Sequence, residues 1–353
     1  MNLNLLRSAM ERDGLDAMLL FSPVNIRYFS KFFITDGAAV ITRDGAWLIT
    51  DSRYIEAARA QSDELECVLY DREHPLSACV SKALEGCKVI GAEESSLSHG
   101  DWQYWEEKLG RSLKPSELIV KALRAVKCPY ELESIVAAQR IAEAALEDIL
   151  GMIRPGLTER EVAAELTYRM LLRGGEGNSF DPIVVTGAKS SMPHGVPGDE
   201  LIREGDFVTM DFGCLINGYC SDMTRTIAVG HATDEMQKVY NTVLEAQLAG
   251  IAAAKAGVTG AAVHGAAAAV IEAAGYGPYF GHGFGHCVGL DIHEDPRASL
   301  ANTQPLPSGI VVTAEPGIYL PGRFGVRIED MLYLTEDGNV NLTKAPKELI
   351  IIK

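Results

Sequence analysis

Three of the chain's eight histidines, His282, His286 and His293, fall within residues 281–294, which read GHGFGHCVGLDIHE. Neutral imidazole is the commonest side-chain metal ligand and a proton carrier near neutral pH. The spacing of four between His282 and His286 can place two side chains on one helix face. Gly283, Phe284 and Gly285 between them predict a tight turn or bulge instead. Residues 288–292 read as a short apolar strand interrupted by Gly289 and Asp291.

Four acids on or beside apolar strands complete the candidate set. Asp211 ends FVTMD, Asp222 lies in YCSDMTRTIAV, Glu315 in TAEPGIY and Glu329 in VRIEDMLYLT. The turn residues Asn217-Gly218 should fold the strand of Asp222 back onto that of Asp211 and bring the two carboxylates together. Two unpaired anions at such range in a core are costly, and one must protonate unless a cation lies between them. Four carboxylates and one imidazole, His286, form a hard, oxygen-rich set. It suits Mn²⁺ or Co²⁺, with Zn²⁺ or Fe²⁺ as alternatives, and two ions better than one. Paired ions about 3.5–4 Å apart can activate water and polarise a carbonyl, so the reaction class is metal-assisted hydrolysis.

The elements that position these residues repeat. Gly156, Thr158 and Val162 recur with the same spacing as Gly257, Thr259 and Val263. Gly205, Val208, Thr209, Asp211 and Gly213 recur as Gly309, Val312, Thr313, Glu315 and Gly317. Two matches in one order indicate a duplication, which puts Asp211 and Glu315 at corresponding places. Halves packed about a pseudo-two-fold axis would aim both acids into one cleft. Each half should run helices then strands: helices over 130–153 and 157–172, strands over 183–186, 207–212 and 219–228, then helices over 234–255 and 261–274. Thr158 with Glu161 is a capping box that fixes the start of the second helix.

Upstream, residues 1–125 alternate helix (3–12, 52–61, 101–109) and strand (16–21, 38–42, 46–50, 66–70, 89–93), with Asp44-Gly45 as a hairpin turn. Nothing in this part clusters into a reactive group, and residues 25–28 read as turn or edge positions. Pro115 and Pro129 break the pattern, which sets a domain boundary near 125. At 353 residues the chain is long enough for two domains. A net charge of −16 disfavours nucleic acid and anionic membrane as partners. No run of about 18 apolar residues predicts a membrane span. Seven scattered cysteines without a CxxC pair suit a reducing compartment, so a cytoplasmic location is expected.

The motifs MDFG, SDMTRT, GHGFGH…GLDIHE, AEPGIY and RIED occur in this order. Together they resemble the pita-bread metallopeptidases, and the full-length pattern resembles their Xaa-Pro branch, which includes prolidase and aminopeptidase P. The resemblance covers nearly the whole chain. It implies a smaller creatinase-like α/β domain (1–125) followed by a pseudo-two-fold pita-bread catalytic domain (126–353), α/β and α+β in class. It implies two divalent ions held by Asp211, Asp222, His286, Glu315 and Glu329, with Asp222 and Glu329 bridging. Glu315 would also move the proton from water to the leaving amine, His293 would donate to the oxyanion, and His194 would contact the substrate backbone. His282, Tyr319 and Arg327 would line or brace the site, and Arg297 would grip a dipeptide's terminal carboxylate. The implied partners are a peptide substrate and a second copy of the chain.

Methionine aminopeptidases share the five ligands but lack the first domain. Creatinase-like amidinohydrolases share both domains without metals, and binding relatives that lost the chemistry lack ligands that are all present here. HExxH and GxSxG are absent, which removes zincins and serine hydrolases of that type. Dipeptide or longer peptide substrates both remain compatible with the residues.

Overall fold

The computed structural model describes residues 2–353. It divides between Arg124 and Ala125 into two compact units. The first unit is built on a six-stranded sheet ordered Glu66–Leu69, Ala46–Thr50, Gly37–Thr42, Ala17–Leu20, Ile90–Ala92 and Leu113–Pro115. Ala17–Leu20 is buried throughout, which is why it reads as an unbroken apolar run. Leu19, Val40, Ile49, Val80, Ile90 and Trp105 share one core.

Two departures from expectation arise here. Residues 25–28 are not turn or edge positions; they belong to the helix Pro23–Ser30, with Asn25, Ile26 and Tyr28 buried. Pro23 looks like a breaker but occupies the first turn, where its missing N–H is not needed, and the Ser22 side chain caps Asn25 N–H. The loosened stretch before Pro129 contains the helix Glu117–Ala125, and the boundary between the units falls at its end.

The second unit carries two sheets of like order. One runs Ile183–Thr186, Phe207–Phe212, Met223–Val229 and Ile351–Ile352. The other runs Glu294–Ala298, Gly285–Cys287, Val311–Ala314, Asp330–Leu334 and Asn339–Asn341. Helices Pro129–Leu150 and Glu159–Leu172 precede the first sheet in sequence, and Asp234–Ala253 with Gly260–Ala273 precede the second. The duplication read from sequence is present in the backbone. Gly156 and Gly257 have φ of 93° and 81°, and Gly205 and Gly309 both 86°, a region that only glycine enters freely. Gly156 N–H donates to Ile202 O, and Gly257 N–H to Leu306 O, both at 2.9 Å. Thr158 and Thr259 cap the two equivalent helices, the former with the capping box completed by Glu161.

The expected strand over 219–228 is broken. Asn217 (φ 51°) and Gly218 (φ 74°) close only the short ribbon of Leu215–Ile216 with Tyr219–Cys220. The chain leaves that ribbon at Ser221-Asp222 and resumes at Met223, so Thr224, not Asp222, lies opposite Asp211. Residues 288–292 are likewise not a strand. The strand lies one step earlier, at Gly285–Cys287, with an irregularity in register between His286 and Cys287. None of the seven cysteines is in a disulfide, and among the described residues no helix is long and apolar enough to cross a membrane.

Candidate metal centre

All eleven residues singled out in the sequence line one cavity of about 490 Å³ in the second unit. Its floor is made where the two sheets end. Asp211 sits near the end of Phe207–Phe212, Asp222 one residue before Met223–Val229, Glu315 one residue after Val311–Ala314, and Glu329 one residue before Asp330–Leu334. A strand end lets a side chain leave the sheet while its backbone stays in the ladder, which fixes direction without loop freedom.

His286 donates from Nδ1 to Cys287 O at 3.1 Å. That bond leaves Nε2 as the lone-pair nitrogen, 3.6 Å from Asp222 Oδ2 and 3.4 Å from Glu315 Oε1. Asp222, His286 and Glu329 each offer an atom within 4.8 Å of the others, and all three are buried. Thr224 Oγ1 donates to Glu329 Oε2 at 2.6 Å and Thr313 Oγ1 to Glu315 Oε1 at 3.1 Å. Arg327 Nη2 donates to Asp211 Oδ2 at 2.5 Å. The same guanidinium donates from Nη1 to Tyr319 Oη (2.9 Å), which lies 2.9 Å from His282 Nε2. His282 Nδ1 donates to Gly283 O, so its Nε2 accepts the tyrosine proton. One chain of hydrogen bonds thus runs His282–Tyr319–Arg327–Asp211 and fixes the last carboxylate.

Arg327 pairs with Asp211 and leaves Asp222, Glu315 and Glu329 without a buried protein cation of their own among the described residues. Burial, then the Asp211 and Glu315 charges, push the Asp222 carboxyl well up. Burial, then Asp222 and Glu315, do the same to Glu329, and burial raises Glu315. Burial lowers His286, His282 and His293, keeping the imidazoles neutral and able to use a lone pair. Asp211 Oδ1 and Glu329 Oε1 are buried with no hydrogen-bond partner among the described residues. Orphaned acceptors in a nest of anions cost several kcal/mol unless a cation meets them. The donor set and the two orphaned oxygens therefore fit hard divalent cations.

The remaining candidates lie on the wall. His293 packs edge-on against His286 with ring centroids 4.4 Å apart. His194 is exposed on the cavity side of the segment after Ser191. Arg297 lies in the strand Glu294–Ala298, which runs through Pro296, and is directly cross-strand from His286. Its guanidinium is largely exposed, with Nε 3.8 Å from Asp295 Oδ1. The neighbouring Glu294 is buried instead against Lys127 Nζ at 2.8 Å. Sequence reasoning missed Thr224 and Thr313, although each stands two residues from an acid and so on the same face of its strand. It also missed Phe180, Asp181, Ile183 and Ser299 on the wall, which carry no motif, and Ile292, which sits inside the histidine motif.

Comparison with known proteins identifies the family. The chain is 42% identical in sequence to an Xaa-Pro dipeptidase from Bacillus anthracis, with a TM-score of 0.95 over 99% of both chains. It resembles the X-Pro aminopeptidase of Thermotoga maritima at 36% identity, TM-score 0.93, over 99% of both chains. It is 38% identical to the Xaa-Pro dipeptidase of Pyrococcus furiosus over 97% of each sequence. Residues 3–126 match the Creatinase/Prolidase N-terminal domain. With residues 133–336 matching metallopeptidase family M24, the chain belongs to that family and is a metallopeptidase.

Proposed function

We propose that the protein is an Xaa-Pro dipeptidase that cleaves the peptide bond on the N-terminal side of proline with two divalent ions. The observation that carries the reading is the buried Asp222–His286–Glu329 group, closed by Asp211 and Glu315, in a cavity with two orphaned carboxylate oxygens. The proline preference is supported by full-length likeness to proteins named Xaa-Pro dipeptidase. Asp211, Asp222, His286, Glu315 and Glu329 would hold the ions, and Mn²⁺ or Co²⁺ suits this oxygen-rich set best. When bound, such ions activate water and polarise the scissile carbonyl.

The protein's own groups do the rest. Glu315, oriented by Thr313, accepts the proton of the attacking water and passes it to the leaving amine. His293 donates to the oxygen that gains charge, and His194 holds the substrate backbone. The His282–Tyr319–Arg327 chain keeps Asp211 from turning away. Working as a homodimer in the cytoplasm is part of the same reading.

Product analysis on Xaa-Pro and Xaa-Pro-Yaa peptides, with Mn²⁺, Co²⁺ or chelator, tests it. Cleavage of Xaa-Pro only with metal is expected; turnover after exhaustive chelation would reject it. A second reading, an aminopeptidase acting on longer chains, is favoured by the Thermotoga maritima likeness and would show as preference for Xaa-Pro-Yaa.

Two substitutions separate roles on the wall. His293→Ala should lower kcat by about 10²–10³, the range for losing one donor to a developing oxyanion. Metal content measured by mass spectrometry should stay the same; a loss of ions would make His293 a ligand instead. Arg297→Ala should raise KM for Xaa-Pro dipeptides about tenfold, from losing a charged hydrogen bond of ~1.5–3 kcal/mol. C-terminally amidated peptides should be unaffected, and equal losses on both would remove Arg297 from carboxylate binding.

A further inference from the structure

The segment that carries His194 is held at both ends by one buried carboxylate. Glu159, the first residue of the helix Glu159–Leu172, is 0% exposed. Its Oε1 accepts from Thr186 N–H at 2.8 Å, where the strand ends and the segment begins. Its Oε2 accepts from Lys189 Nζ at 2.6 Å and from Gly198 N–H at 2.9 Å, where the segment returns. Lys189 also donates to Glu200 Oε2 at 3.0 Å. Between these anchors the backbone passes Arg327, whose Nη1 donates to Pro193 O at 3.3 Å, and Ser190 Oγ accepts from Gly325 N–H at 2.9 Å. His194, exposed and next to Pro193, makes no such tie, so its position follows from the backbone on either side.

The duplication gives an internal control. Thr158 corresponds to Thr259, so Glu159 corresponds to Gly260. A Cβ at Gly260 would lie 2.3 Å from Arg297 O, so the second half supports its wall by close backbone approach and leaves no room for a side chain. A carboxylate at this helix position is thus particular to the half whose wall is a long segment. A buried carboxylate could not be kept there without the ammonium and amides that face it.

From this arrangement we infer that Glu159 and Lys189 are positioning residues for His194, clamping residues 186–198 so that the imidazole meets the substrate. The inference rests on the peptidase reading above. A displacement of about 1 Å at a substrate-positioning group can cost 10²-fold, so a loosened clamp should be visible in kinetics.

The test is a double-substitution cycle on the metal-loaded enzyme, using whichever dipeptide the wild type cleaves. Lys189→Met should lower kcat/KM about tenfold in the wild type, by raising KM, and less than twofold in a His194→Ala background. Glu159→Gln, which keeps one acceptor oxygen, replaces the other with a donor and loses the charge, is the second variant and should follow the same pattern. Metal content should match the wild type in every case. Equal losses in both backgrounds, no loss in either, a silent His194→Ala, or loss of metal would each overturn the clamp. A wild type that cleaves dipeptides without proline would overturn the substrate reading while leaving the cycle interpretable.

Discussion

Asp222→Asn should reduce metal-dependent hydrolysis to background while leaving a folded protein. The amide has the shape of the carboxylate but brings no negative charge for a cation to a position 4% exposed and facing His286. The effect on the chelated protein should have the opposite sense. A carboxyl whose pKa is raised on folding binds its proton more tightly folded than unfolded. Its contribution therefore favours the fold below the ordinary carboxylate range and is lost as the pH rises through the raised value. Burial, then Asp211 and Glu315, raise Asp222 in this way, so above the ordinary carboxylate range the group opposes folding when no metal is bound. Chelated Asp222→Asn should melt at or above the chelated wild type. Full activity in the variant, or a lower melting temperature without metal, would contradict the centre assigned here.

The largest loss of stability is expected from Arg225→Met. This arginine is among the largest fully buried side chains, and its fork is used throughout. Nε donates to Pro346 O (2.8 Å), Nη1 to Thr224 O (2.9 Å) and Glu329 O (2.6 Å), and Nη2 to Asp330 Oδ1 (2.8 Å) and Ala345 O (2.7 Å). Removing one partner of a buried pair costs about 3–5 kcal/mol, because the remaining groups stay desolvated. Asp330 keeps Lys347 at 2.5 Å, which limits the loss to this range. Arg225→Lys should recover little, since an ammonium cannot reach both sides of the fork. Denaturant midpoints decide it: a change below about 1 kcal/mol would mean the network is dispensable.

Arg225 also shows what could be read from sequence and what could not. The five acid and histidine candidates were legible because each ends or adjoins an apolar run, where a charge is conspicuous, and because the duplication paired Asp211 with Glu315. The likeness to metallopeptidase family M24 was legible from the same motifs. Arg225, in the middle of SDMTRT, reads as an ordinary solvated cation; only the meeting of segments more than a hundred residues apart buries it. The break at Ser221-Asp222 was hidden for a related reason. An apolar run with turn residues before it specifies a strand, but tertiary pairing decides where the ladder stops. Helix Pro23–Ser30 was lost to a proline that marks a start as readily as an end.

The two halves of the second unit agree in where they place their acids and differ at the histidine. Asp211 answers to Glu315, and Asp222 and Glu329 each stand one residue before the strand that pairs with theirs. The strand that carries His286 has Cys287 opposite Val312; its counterpart has Thr186 opposite Val208, which puts Val185 where His286 would be. An ancestral chain half as long, self-associated about a two-fold axis, would have offered two identical acid pairs to the space between its copies. Such an ancestor could not have had a single imidazole, because symmetry writes every residue twice. Joining the copies into one polypeptide removed that constraint. One side is then free to hold a nitrogen donor and the other a valine, so a centre built from two like halves can carry a single imidazole.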